Sequence, residues 1–248
     1  MNWKTHISKV SKNKIEIRNK PIEELMENFS YSEAVFFLFQ NRKPTEDERK
    51  MMDAIFVSCI DHGTIPQSTT TTRVVASAGV SLSSAVSAGI LAVGEYHGGA
   101  IEQSAKFIQD NVKIIKEHAL LSEVVADNIV KDYLSKKKII PGYGHNLHSI
   151  DPRAEKLFEL GKKFNIYSDH CIFAKNVLDA LHKNGKKIPL NIDGAIAAVI
   201  SDMNFDWRIG KAFFIISRVP GLVAHYHEEI KNFKPLRIIY PDASEYVN

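Results

Sequence analysis

The stretch Pro141-Gly-Tyr-Gly-His145-Asn-Leu-His-Ser-Ile-Asp151-Pro152-Arg153 constrains this chain more than any other. Its two glycines let backbone come close to a ligand, and His145 follows them directly. Asp151-Pro152 reads as an N-cap and first helical residue, which puts Arg153 in the first turn of a helix. A helix start favours anions and an arginine fork grips a carboxylate at two points. The stretch therefore suits a small acid that exchanges a proton with a histidine. The same residues also suit an ordinary glycine loop ahead of an Asp-Pro helix start. Either way the chain must supply a helical scaffold to carry this mouth.

Apolar residues recur at helical spacing almost throughout. Pro21 occupies a first helical position before a face of Ile22, Leu25, Met26 and Phe29. Ser30 with Glu33 and Thr45 with Glu48 form capping boxes. The first precedes a buried segment, Ala34 to Gln40, and the second a face of Met52, Ile55, Phe56, Cys59 and Ile60. From Ser68 to Gly94 the residues turn small, with Arg73 among few charges, which predicts a close helix pair held by burial rather than propensity and suited to a subunit contact. Further helices are expected over Ile101 to Ile115, over Val124 to Leu134, from Pro152, and from a Ser168-Asp169 cap to Gly185. Trp207 to Ser217 is apolar and ends in Arg218, a charge that needs a partner, a bound anion being one candidate. Pro220 and Gly221 are expected to break the chain before Leu222 to Ile230. Lys14 to Arg18 alternates as one short strand. The tail from Phe233, which carries Arg237, has no core pattern and needs a surface, such as a second subunit. The expected fold class is all-α, as one domain over 1–248.

The 248 residues are 44% hydrophobic, enough for a sizeable core, and 32 basic against 29 acidic residues leave a charge of +3 that does not point to nucleic acid. Lys136, Lys137 and Lys138 form the longest like-charge run, suited to solvent at a helix end or to the phosphates of a ligand. No apolar run is long enough to span a membrane and Met1 to Asn19 has no signal-peptide pattern, so a cytoplasmic protein is expected. Cys59 and Cys171 fall in apolar helical stretches and read as core thiols in a reducing compartment.

His97, His145 and Asp193 each stand at a glycine-flanked entry to a helix, where catalytic side chains can converge. An Asp at such an entry is most often an N-cap. His145 with His148, or His225 with His227, offers paired imidazoles, but no cysteine pair, His-Glu-x-x-His or carboxylate-rich loop accompanies them, and no metal is expected. A Gly-x-Ser-x-Gly elbow, a Walker loop and a dinucleotide fingerprint are all missing from the sequence. Acid-base chemistry without a built-in cofactor remains.

His97-Gly-Gly99, Pro141-Gly-Tyr-Gly-His145, Asp151-Pro-Arg153 and Asn191-Ile-Asp193, in this order, resemble the citrate synthase superfamily. Asp61-His62-Gly63, Ser217-Arg218 and the segment from Pro21 to Thr45 resemble it too. One helix separates Lys43-Pro44-Thr45 from Asp61-His62-Gly63, where full citrate synthases carry a longer helical stretch. In this the chain resembles the short form, citryl-CoA lyase, which stands alone or forms the C-terminal module of ATP citrate lyase. The resemblance implies a citrate-synthase-like helical fold with a large core and a reduced small subdomain on the coenzyme A side. It implies cleavage of citryl-CoA to acetyl-CoA and oxaloacetate by a homodimer or tetramer, with a citryl-CoA synthetase as a candidate partner. His97, His145 and Asp193 would be catalytic; His62, Arg153, Arg218 and, from a partner subunit, Arg237 would hold the citryl group. Pro141, Gly142, Tyr143 and Gly144 would clasp coenzyme A, with Lys136, Lys137 and Lys138 on its phosphates; the thioester is substrate, and no cofactor is bound permanently. The lyase module of ATP citrate lyase often lacks the histidine that stands here as His97, and Asn146 stands where lyases often have a basic residue. Citrate or 2-methylcitrate synthase is therefore the alternative, and a non-catalytic coenzyme A-binding subunit is a rival of another class.

Overall fold

In a computed structural model that describes residues 3–145, 149–237, 243 and 245–247, three short strands precede eleven α-helices among the described residues. The strands are β1 (Ser8–Ser11), β2 (Lys14–Ile17) and β3 (Lys20–Pro21). The helices are α1 (Ile22–Asn28), α2 (Tyr31–Gln40), α3 (Glu46–Ser58), α4 (Gln67–Ser77), α5 (Leu82–Leu91), α6 (Ala100–Glu117), α7 (Ser122–Ser135), α8 (Pro152–Lys163), α9 (Asp169–Lys183), α10 (Ile192–Asp202) and α11 (Gly210–Asn232). The expected helical class holds. The single strand expected at Lys14 is the middle of an antiparallel meander, because Asn13 takes a left-handed φ of 59° and turns the exposed β1 back onto β2. Pro21 lies one residue earlier than expected, at the N-cap of α1.

Both capping boxes form: Ser30 and Thr45 accept from the amides of Glu33 and Glu48, whose carboxylates reach back to the cap amides at 2.7 and 2.8 Å. The small-residue segment folds as the close pair α4 and α5. A Cβ built on Gly89 would lie 2.0 Å from Thr72 Oγ1, so backbone and side chain meet where a larger residue cannot fit. α10 is the central helix. Every residue from Ala195 to Ile200 is at most 1% exposed, as an all-round apolar helix requires, and α6, α8 and α9 pack about it. Its first turn carries Asp193, so the core of the protein begins at the site. Cys59 and Cys171 are buried free thiols, and burial pushes Cys59 up to about 12. Among the described residues no helix is long and apolar enough to cross a membrane.

Two local expectations fail for tertiary reasons. Pro220 does not break the chain; it sits inside α11, where Phe213, Phe214, Ser217, Arg218, Gly221 and Leu222 are buried on both sides of it. Burial of that face outweighs the one backbone hydrogen bond a proline removes. Gly221 serves a crossing rather than a turn, since its Cβ would lie 2.2 Å from the Ile60 carbonyl oxygen. Ser168 does not cap α9 with its side chain. Asp202, from the far end of α10, does so instead, accepting from the amides of Ser168 (2.8 Å), His170 (3.0 Å) and Cys171 (3.1 Å) and from His170 Nδ1 (2.9 Å). Burial pushes the Asp202 carboxyl up, yet the His170 ring and these amides hold it below its ordinary range. Asp202→Ala should lower the urea-unfolding free energy by roughly 3 kcal/mol, with Asp202→Asn, which keeps one acceptor, losing less.

Candidate active site

Backbone closure at the start of α10 organises the site. Asn191, not Asp193, is the N-cap: its Oδ1 accepts from the Gly194 amide at 3.1 Å. Its Nδ2 donates to the Gly144 carbonyl at 2.9 Å and its amide to the Gly142 carbonyl at 3.0 Å, while the Gly144 amide donates to the Pro189 carbonyl at 2.8 Å. The Pro141–Gly144 loop is thus zipped to the segment before α10, and Asp193 is released from capping duty. Gly142 makes this approach possible. Its φ is +88°, and a Cβ on it would lie 2.7 Å from the Gly194 Cα. Tyr143, expected at coenzyme A, turns its ring into the core: it is 5% exposed, its hydroxyl donates to the Ala174 carbonyl at 2.7 Å, and burial pushes the phenol far above its ordinary pKa. Its backbone alone remains at the loop.

Arg153 enters from the first turn of α8, but much of its fork is already engaged. Nε and Nη2 donate to Asp151 Oδ1 and Oδ2 at 3.0 and 2.9 Å, which leaves Nη1 outside the pair. Asp151 is 1% exposed and also accepts from the amides of Arg153 and Ile192, at 3.1 and 3.0 Å, so it ties the start of α8 to the start of α10. Burial pushes the Asp151 carboxyl up, and the Arg153 guanidinium overrides it and holds it low.

Asp193 is half-buried beside these groups. Burial pushes its carboxyl up to about 6; Arg153 and Arg218 oppose that rise and Asp151 adds to it. A carboxyl poised there can both give and take a proton near neutral pH.

His97 is held by a tight loop in which Gly94 and His97 exchange backbone hydrogen bonds at 3.0 and 3.1 Å. Its ring stands edge-on to Phe214 with centroids 5.3 Å apart, and the Arg218 guanidinium lies over the same Phe214 ring at 4.8 Å. Burial, then the Arg218 charge, lowers the imidazole pKa, so the ring is neutral. The Ser68 amide, which can only donate, points at Nε2 from 3.4 Å, and Ser68 Oγ lies 2.8 Å from that nitrogen. With Nε2 accepting, the ring proton sits on Nδ1, available to an oxygen in the site.

Arg218 is 3% exposed in the middle of α11. Its Nε donates to the Cys59 carbonyl at 2.9 Å, and its buried Nη1 has no hydrogen-bond partner among the described residues. Burial pulls its pKa down without discharging it. A buried guanidinium nitrogen left open beside a proton-exchanging carboxyl is a place for an anionic ligand. His62 and His145 face each other across the same region, ring centroids 6.4 Å apart and nearly perpendicular.

Arg237 does not join this cluster within its own chain. Its Nε and Nη2 bind Glu229 at 2.6 and 2.7 Å and its amide donates to Ser77 Oγ at 3.1 Å. Ser77 ends the helix whose start touches His97, roughly 13 Å away at 1.5 Å per residue. Lys136, Lys137 and Lys138 are exposed at the end of α7, with Lys136 paired to Asp132 at 2.7 Å and Lys137 in the left-handed region at φ 53°. Asn146 and His148 lie outside the described residues. Among the described residues no group of three or more His, Cys, Asp or Glu side chains is placed to hold a metal ion. Sequence reasoning missed Ser68, Phe214 and the clamp made by Asp151. The Asp151 cap expected ahead of Pro152 is present, and the Asn191 cap had a local signal in Asn-Ile-Asp-Gly.

Residues 38–242 match the family profile "Citrate synthase, C-terminal domain". Among solved structures the citryl-CoA lyase of Hydrogenobacter thermophilus is 43% identical with a TM-score of 0.91, over 99% of this chain and 94% of that one. The ATP citrate lyase of Methanothrix soehngenii, in complex with citrate and coenzyme A, shares the fold at 21% identity and a TM-score of 0.85, over 100% of this chain and 42% of that one. The citrate synthase of Heyndrickxia coagulans is 29% identical over 232 residues, 90% of this chain and 59% of that enzyme. The chain thus spans a little over half the length of the curated citrate synthases it matches. With the profile matched over most of its length and the site closed around Asp193, the chain belongs to the citrate synthase family.

Proposed function

We propose that this protein is a citryl-CoA lyase, cleaving citryl-CoA to acetyl-CoA and oxaloacetate. The observation that carries the reading is the convergence of Asp193 and Arg153 on Arg218, whose buried Nη1 has no hydrogen-bond partner among the described residues, with His97 joined to Arg218 across the Phe214 ring. Arg218, the Nη1 of Arg153 that lies outside the Asp151 pair, and His62 hold the carboxylates of the citryl group. His145 takes the proton of the tertiary hydroxyl as the carbon-carbon bond breaks, leaving the ketone of oxaloacetate and the enolate of acetyl-CoA. His97 donates Nδ1–H to the thioester oxygen where negative charge develops, and Asp193 delivers its proton to the enolate carbon. The step leaves His145 with one proton more and Asp193 with one fewer, and exchange with solvent restores both for the next turnover.

The backbone edge of Pro141 to Gly144 faces the thioester's coenzyme A. It adjoins a cleft of about 600 Å³ between α8 and α9, bordered by Ile150, Phe158, Leu190, Lys162 and Lys175, which suits the nucleotide end. Lys136 to Lys138 remain candidates for its phosphates. Exposed apolar residues on α4, α5 and α11, among them Val74, Leu82, Leu91 and Val223, suit a homodimer, in which Arg237 would have to leave Glu229 to reach a neighbouring site. An enzyme that makes citryl-CoA must supply the substrate. The two buried thiols fit a cytoplasmic protein.

The lyase reading is favoured over the synthase by a likeness to citryl-CoA lyase that runs nearly end to end in both chains. The synthase reading is favoured by the citrate synthase and 2-methylcitrate synthase relatives at 29% and 30% identity. Product analysis with citryl-CoA separates them. The lyase releases acetyl-CoA and oxaloacetate in equal amounts with little free coenzyme A; release of citrate and free coenzyme A would assign a synthase.

A further inference from the structure

Asp61 carries the turn that presents His62. Its Oδ2 accepts from the Gly63 amide at 3.0 Å and its Oδ1 from His225 Nε2 at 3.0 Å. Against the burial that pushes this carboxyl up, the Gly63 and His62 amides and the His225 ring hold it below its ordinary range. The other nitrogen of His225 faces Arg73: Nη1 lies 3.1 Å from Nδ1. A guanidinium can only donate, so Nδ1 accepts and the ring proton sits on Nε2, aimed at Asp61. Arg73 cannot swing away, because its side chain is 7% exposed and is fixed by Glu228 and by Glu229, the latter 1% exposed and 2.8 Å from Nη2. Among the described residues the charged groups in contact with His225 are Asp61, Arg73 and Glu228, the last 3.9 Å from Nδ1. Arg73 dictates the tautomer, the tautomer dictates the bond to Asp61, and Asp61 closes the turn around His62.

We infer that His225 is a positioning residue for His62: held as the Nε2–H tautomer by Arg73, it fixes Asp61 and thereby the place from which His62 meets the substrate. This rests on the lyase reading only for the role of His62. His225→Phe keeps the ring volume and deletes both hydrogen bonds, whereas His225→Gln keeps an amide donor for Asp61. In citryl-CoA cleavage, His225→Phe should lower kcat/KM roughly 10- to 100-fold, and His225→Gln should recover most of it. If His225 acts through His62, the Phe substitution should cost almost nothing further in a His62→Ala background. The second measurement needs no substrate. In ring-selective proton-carbon NMR spectra, the His62 signal, assigned by its loss in His62→Ala, should shift or broaden in His225→Phe and return in His225→Gln. A His62 signal unmoved by His225→Phe, or kinetic losses that multiply in the double variant, would overturn the inference. Wild-type protein inert toward citryl-CoA would sink the lyase reading instead, and the spectra alone would then judge His225.

Discussion

Asp193→Asn should lose citryl-CoA turnover by about 1,000-fold and yet fold more stably than the wild type. On the proposed mechanism the loss follows from removing the acid that would protonate the enolate carbon while the arginines proposed to bind carboxylates stay in place, so KM should change little. The gain follows from linkage. The folded-state pKa of Asp193 is raised from 3.8 to about 6, so the folded protein holds this proton more tightly than the unfolded chain. Stability is therefore lost as pH rises through that window, and above pH 6 the full penalty stands. A neutral asparagine escapes it. At pH 8 the variant should be roughly 2 to 3 kcal/mol more stable, a rise in Tm of about 5 to 10 °C, and the difference should vanish near pH 4. Equal melting temperatures at pH 8 would mean that Asp193 is not held in a strained ionised state. Stability given up at a working carboxyl is what a site tuned for proton transfer should show.

Gly142→Ala should damage both fold and catalysis, and Gly144→Ala much less. Both glycines have left-handed φ, +88° and +93°, so either alanine meets backbone strain of about 1 to 2 kcal/mol. Only at Gly142 is the space filled: the new Cβ would lie 2.6 Å from Ser104 Oγ and 2.7 Å from the Gly194 Cα, whereas at Gly144 nothing lies within 4 Å. The loop bearing His145 must then lift from the helix bearing Asp193. We expect roughly 3 to 5 kcal/mol lost in urea unfolding and about a 100-fold fall in kcat for Gly142→Ala, because His145 and Asp193, the proposed proton-handling groups, lose register. Similar losses in the two alanine variants would show that backbone strain, not the contact between loop and α10, governs the site.

Helix existence was legible wherever a cap met a period. Ser30 with Glu33 and Thr45 with Glu48 declare their helices locally, and the small residues around Gly89 declare a close crossing. Pro220 and Ser168 misled for the same reason. What decides them lies elsewhere in the chain, the buried face of α11 in one case and Asp202 at the end of α10 in the other. The site divides along that line. Gly-flanked entries marked His97, His145 and Asp193, because glycine and cap residues act within a few positions of themselves. The partners that give these groups their protonation could not be read from spacing: Ser68 fixes the His97 tautomer from 29 residues away, and Phe214 joins His97 to Arg218. Tyr143 shows the converse. It lies inside the recognition loop, yet its ring belongs to the core, because alternate residues of a zipped loop face opposite sides.

The central claim is that Asp193 moves a proton at the methyl carbon of the acetyl thioester while His97 holds the enolate oxygen. Exchange of the methyl hydrogens of acetyl-CoA in D2O, followed by mass spectrometry with oxaloacetate present, reads that step without requiring net cleavage. Wild-type protein should incorporate deuterium, and Asp193→Asn should incorporate essentially none over the same interval. Exchange at the wild-type rate in Asp193→Asn would contradict the account and move the carbon proton to another residue.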